Sequence, residues 1–165
     1  MCGRFGLPGD HEAMKQAFDV SADLQSGIDW AGLMPRYNVA PTDQVPVVLE
    51  KDGRRQAGPM RWGLMPFRTT SMRGRTALGS NGKSLNTPIN ARAETVQSNG
   101  MFKRSFERRR CIIPAGGFYE WKRDGDAKTP YWIALKDEAW MGFAGLYTWW
   151  KSPDGQWVPS CTIVT

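Results

Sequence analysis

The sequence carries both strand-like runs and short helical patterns, the mixture of an α+β domain, within a length that suits one core. Apolar runs of strand length are separated by turn signals such as Asp52-Gly53 and Asp124-Gly125 over most of the chain. The length of 165 residues with 41% apolar content suffices for one hydrophobic core and is short for two, so residues 1–165 are read as a single domain.

Taken in order, Asp10 to Phe18 reads as a short helix, with Asp10 as its cap and Met14 and Phe18 four apart on one face. Met34 to Thr42 is a loop punctuated by Pro35 and Pro41. Val45 to Glu50 is a strand, and the run through Met60 to Leu64 returns as its hairpin partner beyond Asp52-Gly53. Residues 67–87, rich in Arg, Ser, Thr and Gly, read as a mobile basic loop. Ala91 to Gln97 and Met101 to Arg109 read as helices, the second turning Met101, Phe102, Ser105 and Phe106 inward. Cys111 to Trp121, Tyr131 to Leu135 and Met141 to Trp150 are β segments. Val158 to Thr165 is a last apolar, β-branched run that stops in mid-pattern, as expected of a domain truncated at its C-terminus.

Charge is unevenly placed. Residues 61–110 hold eleven basic side chains against two acids, a local +9, so the remainder carries −3 of the +6 total. This is the footprint of a polyanion binder, nucleic acid first, or else a solvated basic face. No run approaches a membrane span and no signal-peptide pattern opens the chain, so a cytoplasmic protein without a membrane partner is expected. Cys2, Cys111 and Cys161 have no metal-ligand spacing and are odd in number, as for reduced thiols. No metal or other cofactor is expected. Cys111 and Cys161 lie in strand-like runs as small core residues.

Met1-Cys2-Gly3-Arg4 carries the sharpest chemical signal. Loss of Met1 would leave one residue with a free α-amine and a thiol, whose ordinary pKa values are about 7.7–8.0 and about 8.5. An aldehyde condenses with that amine to an imine, and the sulfur then closes a five-membered thiazolidine. A buried, incidental cysteine is the plain alternative. Asn90, Arg92 and Glu94 stand at a predicted helix entry, as cap and first-turn residues or as groups facing a reacting centre and a phosphate. Glu120 lies between aromatics in Gly-Gly-Phe-Tyr-Glu-Trp. There desolvation would raise its pKa toward an acid/base range, unless it faces water on an ordinary strand.

Five segments in order resemble the SOS-response-associated peptidase (SRAP) family. They are Met-Cys-Gly-Arg-Phe at 1–5, Pro-Arg-Tyr-Asn-Val-Ala-Pro-Thr at 35–42, Arg-Trp-Gly-Leu-Met-Pro at 61–66, Asn-Ala-Arg-Ala-Glu-Thr at 90–95 and Arg-Cys-Ile-Ile-Pro-Ala-Gly-Gly-Phe-Tyr-Glu-Trp at 110–121. The resemblance carries most of the fold expectation and implies an α+β domain with a largely antiparallel, barrel-like β core and peripheral helices. It implies covalent capture of abasic sites in single-stranded DNA, near the nucleoid, through Cys2. Asn90 would orient the sugar and Glu120 would move protons. Arg4, Arg36 and Arg92 would contact phosphates or base edges, with Pro41, Trp62, Phe67 and Trp121 along the nucleotide path. Phe67 stands where the family usually has a tryptophan wedge. The family's His-x-Arg-Met-Pro motif has no counterpart here, and His11 lies in the first helix as a surface residue. The same nucleophile would serve an N-terminal-cysteine peptidase or amidohydrolase, and the basic groove would serve a non-covalent single-strand binder.

Overall fold

The structure is a computed structural model and describes residues 2–165. Its centre is built from the apolar runs. β4 (Gln44–Lys51) and β5 (Arg54–Trp62) form an antiparallel hairpin about Asp52-Gly53, both in the left-handed region with φ of 53° and 71°. β4 also pairs β9 (Arg110–Ala115), β9 pairs β12 (Met141–Lys151), and β12 pairs β13 (Trp157–Val164), all antiparallel. β13 then lies parallel to β5, Ser160 opposite Arg61 and Cys161 opposite Trp62, so the order β5-β4-β9-β12-β13 closes on itself. Closure leaves these five strands without a free edge.

Inside, Val45, Val47, Met60, Trp62, Ile113, Cys161 and Ile163 are almost fully buried. Phe5 stands edge-on to Trp62 at 5.1 Å and to Phe143 at 5.7 Å, and carries the core into a second sheet. That sheet has the order β11-β10-β1-β3 and comprises β1 (Phe5–Leu7), β3 (Arg36–Val39), β10 (Gly117–Asp124) and β11 (Ala127–Ile133). The run expected as one strand from Cys111 to Trp121 is therefore two, β9 in the barrel and β10 in the second sheet, parted at Gly116. Backbone must approach closely there: a Cβ on Gly117 would lie 2.5 Å from the Trp132 ring and 2.6 Å from the Ile133 carbonyl oxygen.

Helices are short and peripheral. α1 (His11–Ala17) begins as expected, with Asp10 accepting from the Ala13 amide at 2.9 Å. α2 (Trp30–Leu33) is a single turn, and α3 (Lys103–Arg108) buries Phe102 and Ser105 while Lys103, Arg104 and Arg108 face outward.

Two expectations need correction. Ala91 to Gln97 is not a helix: β8 (Asn90–Ala91) pairs parallel to β13, and residues 93–98 form consecutive turns. The β13 edge claims the backbone first, Ile163 and Thr165 donating to Ile89 and Ala91. Residues 67–87 are not a loose loop either. β6 (Ser71–Arg73) and β7 (Thr76–Leu78) form a hairpin whose Ala77, with Met65 and Trp150, makes a small core of its own. A two-residue strand β2 (Ala22–Asp23) completes the larger sheet beside β5.

Candidate active site

The head of β1 brings the first site residue to β10. Tyr119 donates its amide to the Arg4 carbonyl at 2.9 Å and Gly116 to Gly6 at 2.9 Å, so Cys2 is drawn to the stretch that carries Glu120. Cys2 is only 5% exposed, with Sγ 3.7 Å from the Arg4 carbonyl oxygen. Burial pushes its thiol up to about 11, and the negative charge of Glu120 acts in the same direction. The sulfur is thus a neutral thiol near neutral pH. Its nucleophilic use requires a group to take the proton.

Asn90 reaches the same point from β8. Its Nδ2 donates to the Cys2 carbonyl oxygen at 2.8 Å, across 88 residues of sequence. Its Oδ1 is buried and has no hydrogen-bond donor among the described residues. An acceptor in that state is costly, commonly about 1–3 kcal/mol. Asn90 is therefore a clamp on the Cys2 backbone; it is not the helix cap of the alternative reading.

Trp62 supports that clamp from below. It is 0% exposed and donates Nε1 to the Ile89 carbonyl at 2.9 Å, one residue before Asn90. A wholly buried indole cannot stack on a base, so Trp62 does not line a nucleotide path. Phe67, by contrast, is 90% exposed, and Trp121 is 43% exposed on β10 beyond Glu120. Arg92 is exposed in the turn after β8.

Arg4 and Arg36 are placed by polar partners. Arg4 donates to Asn38 Oδ1 at 2.9 Å, and Tyr119 donates its hydroxyl to the Tyr37 carbonyl at 3.1 Å, tying β1 and β10 to β3. Arg36 donates to Asp43 Oδ2 at 2.6 Å, and the Ala40 amide donates to the same oxygen at 3.0 Å. That bond folds the Ala40–Asp43 loop around half-buried Pro41. Burial alone would raise the Asp43 pKa, but the Ala40 amide, Arg36 and Arg75 together hold it below its ordinary value.

Sequence reading missed Asp43, Arg61 and Arg75. Asp43 carries a faint signal as the acid directly after Pro41-Thr42; Arg61 carries none, because its burial at 5% depends on packing between β5 and the β6–β7 hairpin. His11 stacks on Trp30 at 5.6 Å and contacts Glu12, an ordinary helix-surface role. Cys111 and Cys161 are buried core thiols, as their runs suggested, and burial pushes Cys111 up to about 12.

The family model described as SOS response associated peptidase (SRAP) matches residues 1–165. The abasic site processing protein YoqW of Bacillus subtilis is 36% identical across the whole of this chain, which spans 68% of that protein. The abasic site processing protein YoaM of the same organism is 37% identical over the whole chain and 67% of its own length. Among solved structures, a Bacteroides thetaiotaomicron protein superposes with a TM-score of 0.82 at 24% identity, over 99% of this chain and 67% of that one, a likeness of fold.

Proposed function

Because the chain belongs to the SOS response associated peptidase family, we propose that it processes abasic sites in DNA by capturing them on Cys2 after Met1 is removed. The observation that carries the reading is the Asn90 clamp. Its Nδ2 fixes the Cys2 backbone at 2.8 Å while a buried Oδ1, without a donor among the described residues, can accept from a polar group of the substrate or from the freed α-amine.

The chemistry follows from the groups present. An abasic deoxyribose in its ring-opened form is an aldehyde. The Cys2 α-amine adds to its carbon, and water leaves to give an imine. Sγ then adds to the imine carbon, a C–S bond forms, and the thiol proton passes to the nitrogen as the ring closes. One water is released overall. The raised thiol makes removal of the sulfur proton the demanding step, and Glu120 is the carboxylate whose charge already acts on that sulfur.

A single-stranded substrate fits the surroundings. Arg4 and exposed Arg92 offer cations, and Phe67 and Trp121 offer aromatic faces to bases that are not paired. Processed protein mixed with a single strand carrying one abasic site gives a band that survives denaturation, and Cys2→Ala gives none. A Cys2→Ser variant forms only an imine or a less stable oxazolidine. If its adduct proved as durable as that of the wild type, closure through sulfur would be excluded.

A further inference from the structure

The β6–β7 hairpin is basic surface that the site above does not use. Residues 67–87 contain Arg68, Arg73, Arg75 and Lys83 and no acid, and all four cations are exposed. The arm is firmly held. Buried Arg61 donates Nη2 to the Arg75 carbonyl at 2.8 Å and Nη1 to the Gly63 carbonyl at 2.7 Å. Trp150 donates Nε1 to the Thr69 carbonyl at 2.7 Å, and the Arg75 side chain reaches Thr42 Oγ1 at 3.0 Å and Asp43 Oδ1 at 3.2 Å.

Between the hairpin tip and the start of β13 lies a cleft of about 730 Å³, walled by Arg36, Thr42, Asp43 and Arg75 against Trp157 and Pro159. Arg75 is 70% exposed, and Trp157 is 60% exposed with the Lys151 ammonium 5.9 Å from its ring. The cleft's two carboxylates have internal donors: Asp29 accepts from the Gly32 amide at 3.0 Å, and Asp43 from Ala40, Arg36 and Arg75. β3 runs from the cleft toward the capture site: Arg36 lines the cleft, and Asn38, two residues on, accepts from Arg4, two residues after Cys2.

We propose that this cleft holds the DNA strand beyond the captured nucleotide, with Arg73 and Arg75 on successive phosphates and Trp157 stacked on a base. Exposed cations on an acid-free, rigid arm facing an exposed indole are what a polyanion with planar bases requires. The proposal rests on the reading of the protein as a single-strand binder. It adds a second length of strand to that site.

Affinity measured by fluorescence anisotropy against salt, with single strands of about four and about twelve nucleotides carrying a central uncleavable abasic analogue, tests it. The wild type gains affinity with the longer strand. In Arg73→Ala/Arg75→Ala that gain disappears, and the log–log salt slope on the longer strand falls by roughly 1.4, two contacts of about 0.7 each. Trp157→Ala lowers affinity for the longer strand by about tenfold with little change in slope. Should Arg75→Ala unfold the hairpin, Arg73→Ala on the arm and Trp157→Ala on the facing β13 read the same cleft without touching the arm's anchors. A wild-type gain with length that persists in these variants overturns the cleft assignment and leaves the capture reading standing. A wild type that binds neither strand overturns the capture reading itself.

Discussion

At Cys2 two effects oppose each other. Burial protects the thiol and brings it under the Asn90 clamp, yet it also lifts the thiol to about 11, which leaves little thiolate near neutral pH. Under the proposed capture chemistry, Glu120→Gln removes the carboxylate whose charge acts on the Cys2 sulfur. It is expected to slow adduct formation by at least about tenfold, some 1.4 kcal/mol of transition-state stabilisation, with little change in affinity for intact single strands. The sign of the pH response is also fixed. As pH rises toward the thiol's own ionisation the sulfur needs a base less, so the deficit of Glu120→Gln narrows. Time courses across the neutral and alkaline range check both points; a pH-independent deficit with lost affinity would make Glu120 a binding residue. Cys2, Asn90 and Glu120 were legible in the sequence as candidates, because each sits in a short motif of matching chemistry. The buried state of Trp62 was not, since its partner Ile89 is 27 residues away and the two are brought together by the β5–β13 and β13–β8 pairings.

At the level of elements, β10 and the β6–β7 hairpin decide where the site residues stand. Gly117 lets the Trp132 ring and the Ile133 backbone come close to β10. A Gly117→Ala substitution is expected to destabilise the fold by about 1–3 kcal/mol through overpacking and to displace Glu120 from Cys2. Chemical denaturation together with the capture rate checks it, and a stable variant with normal capture would contradict it. Asp43 fastens both the Ala40–Asp43 loop and Arg75. Its folded pKa lies below the ordinary carboxylate value, so its contribution is present above the unfolded pKa, about 3.9, and is lost as pH falls through the folded one. Asp43→Asn is therefore expected to be less stable than wild type near neutral pH, the difference closing in acid. The α1 cap and the β4–β5 hairpin were readable because local signals, Asp10 and Asp52-Gly53, agree with the tertiary outcome. The helix expected at Ala91–Gln97 failed because pairing with β13, invisible in a local window, outweighs helix propensity.

On the scale of the whole molecule, a closed five-stranded barrel and a second sheet set against it hold three distant segments at one point: the chain start, β8 and β10. The basic excess of residues 61–110 is divided between the turn after β8, the outer face of α3 and the hairpin arm. Binding of single strands should weaken steeply with salt, and Arg92→Ala should reduce the log–log slope by roughly 0.7 if it holds one phosphate. An unchanged slope and affinity would remove Arg92 from the strand path. The charge asymmetry and the strand pattern were visible in the sequence. The closure of the barrel through the parallel β5–β13 pair was not, because nothing in either strand names the other. Intact-mass analysis of the denatured adduct after alkylation tests the central claim most directly. The chain has three cysteines, and in a thiazolidine Cys2 sulfur is bonded to carbon. The account predicts a mass of the Met1-less chain plus the DNA strand minus one water, with Cys111 and Cys161 alone alkylated. An adduct that retains Met1, or one in which all three thiols alkylate, would contradict capture by the N-terminal cysteine through sulfur.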